Sequence, residues 1–388
     1  KRGRIEYLEE DYNGGGAEEP AAVGEAPAPP PSAGRPPSPP AASAGPAPST
    51  GLPVAAAPDD PLEGGRYRVW FATNRTAVTE RGAVRFTAEQ ATTLTYGRCD
   101  VRIPRTHRVG SVGSPWWKRL FRGDDRLKLV RVDPQPAETH WDDIARRIRA
   151  APDGEKHGVV LLHGYNVSFE DAAIRAAQIG YDLKVRGAMA FFSWPSRGAV
   201  EDYTRDEATI DACEHDIAAY LVDFSRRSGA DRVHVIAHSM GNRALLRSLQ
   251  RILAEVEHEE PRRFGHFILA APDVDVRLFR QLADAYARIS RRTTLYVSVE
   301  DRALEVSRFI HGHGRVGFAP PITTHPGIDT VHVADVDLTI LGHGYVASAR
   351  GVITDIHSLI HSDLPPERRL GLVRKSTQEG SPYWEILP

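Results

Sequence analysis

The run Ala237-His238-Ser239-Met240-Gly241 constrains this chain more than any other feature. The apolar stretch 233–236 precedes it, and the helical pattern 242–257 follows. A serine between a strand and a helix stands on a sharp turn. The residues two places to either side must be small if strand and helix are to clear each other. Ala237 and Gly241 meet that demand, with alanine where such turns usually carry a first glycine. The turn presents the hydroxyl at the carboxyl edge of a sheet, beside a helix N-terminus that favours developing negative charge.

The surrounding pattern supplies such a sheet. Strands are predicted at 66–73, 92–103 and 127–132, then at 158–162, 188–193, 233–236, 267–270, 294–299 and 330–333, the last of the series. Helices are predicted at 141–150, 169–183, 207–224, 242–257, 276–289, 304–310 and 351–361. The early strands alternate, as at an antiparallel edge, and the later ones are continuous apolar runs, as in a buried parallel sheet. Strand–helix alternation predicts an α/β domain with a mostly parallel central sheet and helices on both faces. The segment 111–123, with Trp116, Trp117, Leu120 and Phe121, interrupts it as a bulky loop or lid.

Residues 14–61 are dominated by Ala, Pro, Gly and Ser. Such a stretch buries too little apolar surface to offset its ordering entropy. Residues 1–64 are therefore expected to be a disordered linker and 65–388 a single folded domain. The chain opens Lys1-Arg2-Gly3-Arg4 without Met, which reads as a trimmed N-terminus. A cytoplasmic location is the default expectation, and a tether to the cell envelope with the Pro-rich segment as spacer is the alternative.

Lys and Arg number 49 against 51 Asp and Glu, so nothing points to nucleic acid. No apolar run approaches the roughly 18 residues of a transmembrane helix. Cys99 and Cys213 are the only cysteines, which excludes a disulfide scaffold and zinc-type spacing and leaves one optional pair.

If Ser239 is a nucleophile, its partners belong on loops after other strands. After 158–162 comes His163-Gly164-Tyr165-Asn166, where the Tyr165 N–H can pair with that of Met240 as an oxyanion hole. The base should be a histidine after the last strand. His343, between Gly342 and Gly344, is preferred over His311, His313, His325 and His332. Two acids compete to orient it: Asp301, which is favoured, and Asp273. The order Ser239, Asp301, His343 suits acyl transfer to serine and then to water, with no metal or organic cofactor. Trp194 is equally a pocket wall or a core residue. The expected partner is a small-molecule or lipid acyl substrate; the sequence leaves the oligomeric state open.

These motifs together resemble the bacterial α/β-hydrolase family DUF900 of the esterase/lipase superfamily. The resemblance is carried by 69–75 (VWFATNR), 96–101 (YGRCDV), 161–166 (LLHGYN), 192–196 (FSWPS), 203–206 (YTRD), 237–242, 270–273 and 341–343, and spans 67–361. It implies an α/β-hydrolase fold and a serine-hydrolase mechanism, and no particular substrate. Gly344 stands where relatives are expected to have Ser.

Overall fold

A computed structural model describes Leu62 and residues 65–109, 126–197, 203–256, 264–298, 314–333 and 346–386. The Pro-rich segment through residue 61, the excursion at 111–123 and the helix expected at 304–310 lie outside the described residues.

The strands in chain order are β1 Arg66–Glu80, β2 Ala83–Arg102, β3 Lys128–Gln135, β4 His157–Leu162, β5 Ala188–Ser193, β6 Arg232–His238, β7 Phe264–Ala270, β8 Ser290–Ser298, β9 Ile328–Val333, β10 Leu372–Ser376 and β11 Pro382–Ile386. The helices are α1 Ala137–Ala150, α2 Phe169–Asp182, α3 Tyr203–Ala212, α4 Glu214–Arg227, α5 Gly241–Val256, α6 Val276–Leu282, α7 Asp284–Ile289 and α8 Val346–Ser362. All the strands join one sheet, ordered β10-β11-β9-β8-β7-β6-β4-β5-β1-β2-β3. Pairing is parallel from β1 through β5, β4, β6, β7, β8 and β9 to β11, and antiparallel only in the flanking pairs β1–β2, β2–β3 and β10–β11.

The pleat explains why the central strands are apolar throughout. Successive side chains of a strand point to opposite faces. Val160 and Leu162 of β4 join one core, with α1, α4, α5 and α7. Val159 and Leu161 join the other, with α2 and α8. Both faces of β4 are thus covered. Helix ends are marked locally: Ser168 caps α2 by accepting from Asp171 N at 3.1 Å, and Asp275 caps α6 through the Arg277 and Leu278 N–H groups.

Several expected boundaries need correction. β1 and β2 form one long hairpin closed at Arg81-Gly82, both with positive φ (51° and 79°), as a two-residue primed turn requires. The sheet does not end at β9, because β11 adds to it in parallel and carries β10 with it. The helix expected at 207–224 is two, α3 and α4, broken where Cys213 N turns tightly onto Ile210 O. The helix expected at 276–289 is likewise divided at Ala283. Cys99 and Cys213 are both buried free thiols, so the optional disulfide is absent.

The connections fix where a site can form. The chain leaves β4, adds β5 on one side, then returns to add β6 on the other. Ligand crevices in such sheets open outside the carboxyl ends of strands at this switch point. Here it lies between β4 and β6, where Leu162 pairs with Ala237.

Candidate active site

Ser239 occupies the turn between β6 and α5 with φ of 49°. A left-handed conformation costs a residue with a Cβ about 1–3 kcal/mol, so the surrounding contacts must hold it. Ser239 N donates to Ala270 O at 2.9 Å, while Asp273 N (3.2 Å) and Asn242 N (3.1 Å) donate to Ser239 O. The buried Asn242 amide donates further to Ala237 O at 2.9 Å. A Cβ at Gly241 would come within 2.7 Å of the Leu162 and His163 carbonyls, which explains the small residue there. Ser239 is 2% exposed, and its Oγ has no hydrogen-bond partner among the described residues.

Across the switch point, Gly164 lets the loop after β4 approach the elbow. A Cβ there would stand 3.0 Å from Ser239 Cβ and from His238 Nδ1. The orientation of this loop is set by a chain of hydrogen bonds that begins at Arg75. Its buried guanidinium donates through Nε to Ser193 Oγ (2.9 Å), through Nη1 to Thr87 O and Ser196 O, and through Nη2 to Val167 O. It thereby ties together the segments after β4 and β5. Burial lowers the Arg75 pKa to about 10, against the opposing pull of Asp206, so the group stays charged at neutral pH.

Ser193 Oγ stands 3.3 Å from His163 Nε2, and His163 Nδ1 stands 2.8 Å from Gly164 O. A carbonyl only accepts, so Nδ1 carries the proton and Nε2 accepts from Ser193. Burial, reinforced by the Arg75 charge, pushes the His163 pKa down to about 3, which keeps the ring neutral. Trp194 stacks on it at 5.2 Å and donates to His163 O. Trp194 is fully buried and is therefore a core residue rather than a pocket wall. The Gly164 carbonyl is turned toward the His163 ring, and in a trans peptide the next N–H points the opposite way. The Tyr165 N–H is thus directed away from the His163 ring. Met240, which follows Ser239, immediately precedes α5, whose first-turn N–H groups lack intrahelical acceptors.

Asp273 lies beside the elbow. Its carboxylate accepts a short hydrogen bond from Tyr203 and stands 3.3 Å from Arg315 Nε. Tyr203 in turn meets the Tyr165 ring edge-on at 5.4 Å. The structure therefore brings together Ser239, Met240, Tyr165 and Asp273. Asp301 and His343 lie outside the described residues, as do His311 and His313. His325 and His332 face carboxylates of their own, Asp284 at 3.5 Å and Glu385 at 3.7 Å. Sequence reasoning missed Arg75, Asn242 and Arg315. A cation inside the apolar-rich run 69–75 was the available signal for the first. Among the described residues no cluster of His, Cys, Asp and Glu could hold a metal ion.

The family model for "Alpha/beta hydrolase of unknown function (DUF900)" matches residues 137–362, more than half of the chain. The chain belongs to this α/β-hydrolase family. The match covers the sheet from β4 to β9, with the elbow and the Gly164 loop inside it. No curated protein matches the chain. Solved structures that it resembles include a predicted CIB-like hydrolase from Thermoplasma acidophilum, at 17% identity and TM-score 0.34 over 55% of this chain and 90% of that one. An esterase from Pyrobaculum calidifontis is similar at 14% identity and TM-score 0.34, over 74% of this chain and 84% of that one. No helix among the described residues is long and apolar enough to cross a membrane.

Proposed function

We propose that this α/β hydrolase is a serine esterase acting on acyl esters, with Ser239 as nucleophile, His343 as base and Asp301 as the acid that orients it. The observation that carries the reading is the backbone of Ser239. It is held at positive φ by hydrogen bonds from three sides, and its hydroxyl is unbonded among the described residues. Strain of this kind persists where surrounding structure imposes it, and it clusters at reactive residues. Asp273 is the less suitable acid, because Tyr203 and Arg315 already engage its carboxylate.

In this mechanism Ser239 Oγ attacks the ester carbonyl carbon as its proton passes to His343. The oxyanion is met by the N–H groups of Met240 and Tyr165, the latter oriented by the Arg75–Ser193–His163 chain. Collapse of the tetrahedral intermediate breaks the ester C–O bond, and His343 protonates the departing alcohol. Water then attacks the acyl-serine by the same route, releasing the acid and restoring Ser239. Hydrolysis of p-nitrophenyl butyrate tests this. Ser239→Ala should lower kcat by roughly 10⁴-fold or more, as loss of a triad nucleophile does. A variant retaining most of the wild-type rate would reject the reading.

A further inference from the structure

The motif Tyr203-Thr204-Arg205-Asp206 opens α3 and has no part in the proposed chemistry. The buried residues of α3 are Tyr203, Asp206 and Ile210, at steps of three and four that set them on one helix face. That face meets both halves of the site. Asp206 is fully buried. Its carboxylate accepts from Ser196 Oγ at 2.5 Å and from Arg197 N at 3.0 Å, and the Asn166 N–H lies close enough to stabilise its charge. Burial raises the Asp206 pKa, while these donors and the Arg75 charge pull the other way.

The bond from Ser196 matters for what it leaves free. A hydroxyl has one proton and two lone pairs. Ser196 gives its proton to Asp206, so the oxygen is left to accept, and it takes Val167 N at 3.3 Å. Val167 O accepts from Arg75 Nη2 at 2.8 Å, so the backbone of Val167 is held on both sides. The other end of the same loop is held where His163 Nδ1 donates to Gly164 O. Tyr165 lies between these two anchors. Asn166 beside it has φ of 57°, a left-handed conformation that surrounding contacts must hold. The Tyr165 ring is met edge-on by Tyr203, from the same face of α3 as Asp206.

The helix also grips the elbow. Tyr203 donates its hydroxyl to Asp273, whose N–H donates to Ser239 O. Arg243 of α5, four residues past Ser239, forks onto both oxygens of Asp211 at 2.8 and 3.0 Å. α3 is thus a strut between the nucleophile and the loop that faces it across Gly164.

We propose that Asp206 is a positioning residue for the oxyanion hole: by aiming Ser196 at Val167 it fixes the far end of the 163–167 loop and so the direction of the Tyr165 N–H. The inference rests on the serine-esterase reading. It assigns the opening motif of α3 a task in transition-state stabilisation rather than in substrate binding.

The test compares p-nitrophenyl butyrate with its thiono analogue, in which sulfur replaces the carbonyl oxygen, on the full chain. Sulfur is a weak acceptor, so hydrolysis of the thionoester draws little on oxyanion donors. Asp206→Asn sets amide N–H groups among donors that a carboxylate accepts. It should lower kcat for the oxygen ester roughly tenfold or more with KM within about twofold, and kcat for the thionoester by no more than about threefold. Loss of folded protein or of triad geometry would lower both esters alike. Ser196→Ala is the milder variant and should lower the oxygen-to-sulfur ratio about threefold, the scale of one hydrogen bond. His234→Phe, at the opposite edge of the sheet, should lose stability and keep the ratio of the wild type.

An unchanged ratio in folded Asp206→Asn would overturn the inference and leave the esterase standing. If Asp206→Asn does not fold, an unchanged ratio in Ser196→Ala overturns it in the same way. Failure of the wild type to hydrolyse either ester would reject the esterase reading and the inference with it.

Discussion

At the amino-terminal ends of β4, β6 and β7 stand His157, His234 and His266; at the carboxyl end of β4 stands His163 beside the elbow. All four have pKa values lowered chiefly by burial. At the amino-terminal edge the rings of His157 and His234 are hydrogen-bonded by their neighbours. His266 N donates to His234 Nδ1 at 3.2 Å, His234 Nε2 lies 3.3 Å from His157 Nδ1, and His157 Nε2 lies 2.9 Å from Gly154 O. Every ring nitrogen of His234 and His157 is used, and His234 stacks on His266 at 5.0 Å. At the carboxyl edge the neutral His163 ends a chain that turns a backbone carbonyl. Next to it, across Gly164, stands Ser239 Oγ, which has no hydrogen-bond partner among the described residues. The amino-terminal edge closes the hydrogen bonds of two of its rings and leaves His266 Nδ1 without a partner among the described residues. At the other edge the Ser239 hydroxyl is the group that the proposed mechanism uses.

That contrast breaks if substitutions at the two edges act alike. The largest effect is expected at Gly164. Gly164→Val inserts a side chain against Ser239 and displaces the Tyr165 N–H. It should cut kcat roughly 10²- to 10³-fold, the scale of a lost oxyanion donor, and stopped-flow ester hydrolysis reads this. Arg75→Met comes next, since it strands several buried acceptors. A loss of about 3 kcal/mol in urea unfolding is expected, together with a fall in kcat. Arg75→Lys should recover part of the stability but little of kcat, because an ammonium cannot span the four acceptors.

At the opposite edge, His234→Phe should cost about 1–3 kcal/mol by leaving the His266 N–H unpaired, with kcat/KM within about twofold of wild type since no site group is touched. A comparable loss of kcat there would refute the division of labour.

The same edge also sets a pH slope. The lowered pKa of His266, about 4 in the folded chain, means that the unfolded chain binds more protons between about pH 6.5 and pH 4. Stability should therefore fall as pH drops through that window, by about 1.4 kcal/mol per unit for each proton of difference. Asp363, 3.5 Å from His266 Nε2, opposes the shift. His234→Phe should make the slope shallower in chemical denaturation followed against pH.

How much of this was legible in the sequence depends on the range of the interactions involved. The β4, β6 and β7 runs and the Ser239 elbow rest on local patterns, apolar continuity and small residues at fixed offsets, and the structure places strands on all three. The hairpin turn at Arg81-Gly82 carried a local signal too, the glycine, but alternation fades where β1 and β2 leave the core. β11 was missed because its five residues join β9 across the intervening α8, and pairing at that separation leaves no periodic trace. Arg75 carried only the weak signal of a cation in an apolar-rich run, and its acceptors Ser193, Ser196 and Val167 lie far along the chain. Arg315 carried none, since its neighbour Asp273 is equally remote in sequence. Tyr203 and Asp273 could be named but not paired, since 70 residues separate them.

The most direct test of the central claim is covalent. The full chain and its Ser239→Ala variant are treated with a fluorophosphonate, and any adduct is located by peptide mass spectrometry. The account predicts one adduct, on Ser239, absent from the variant. A folded wild-type chain that forms no adduct, or one modified equally in the variant, would contradict it.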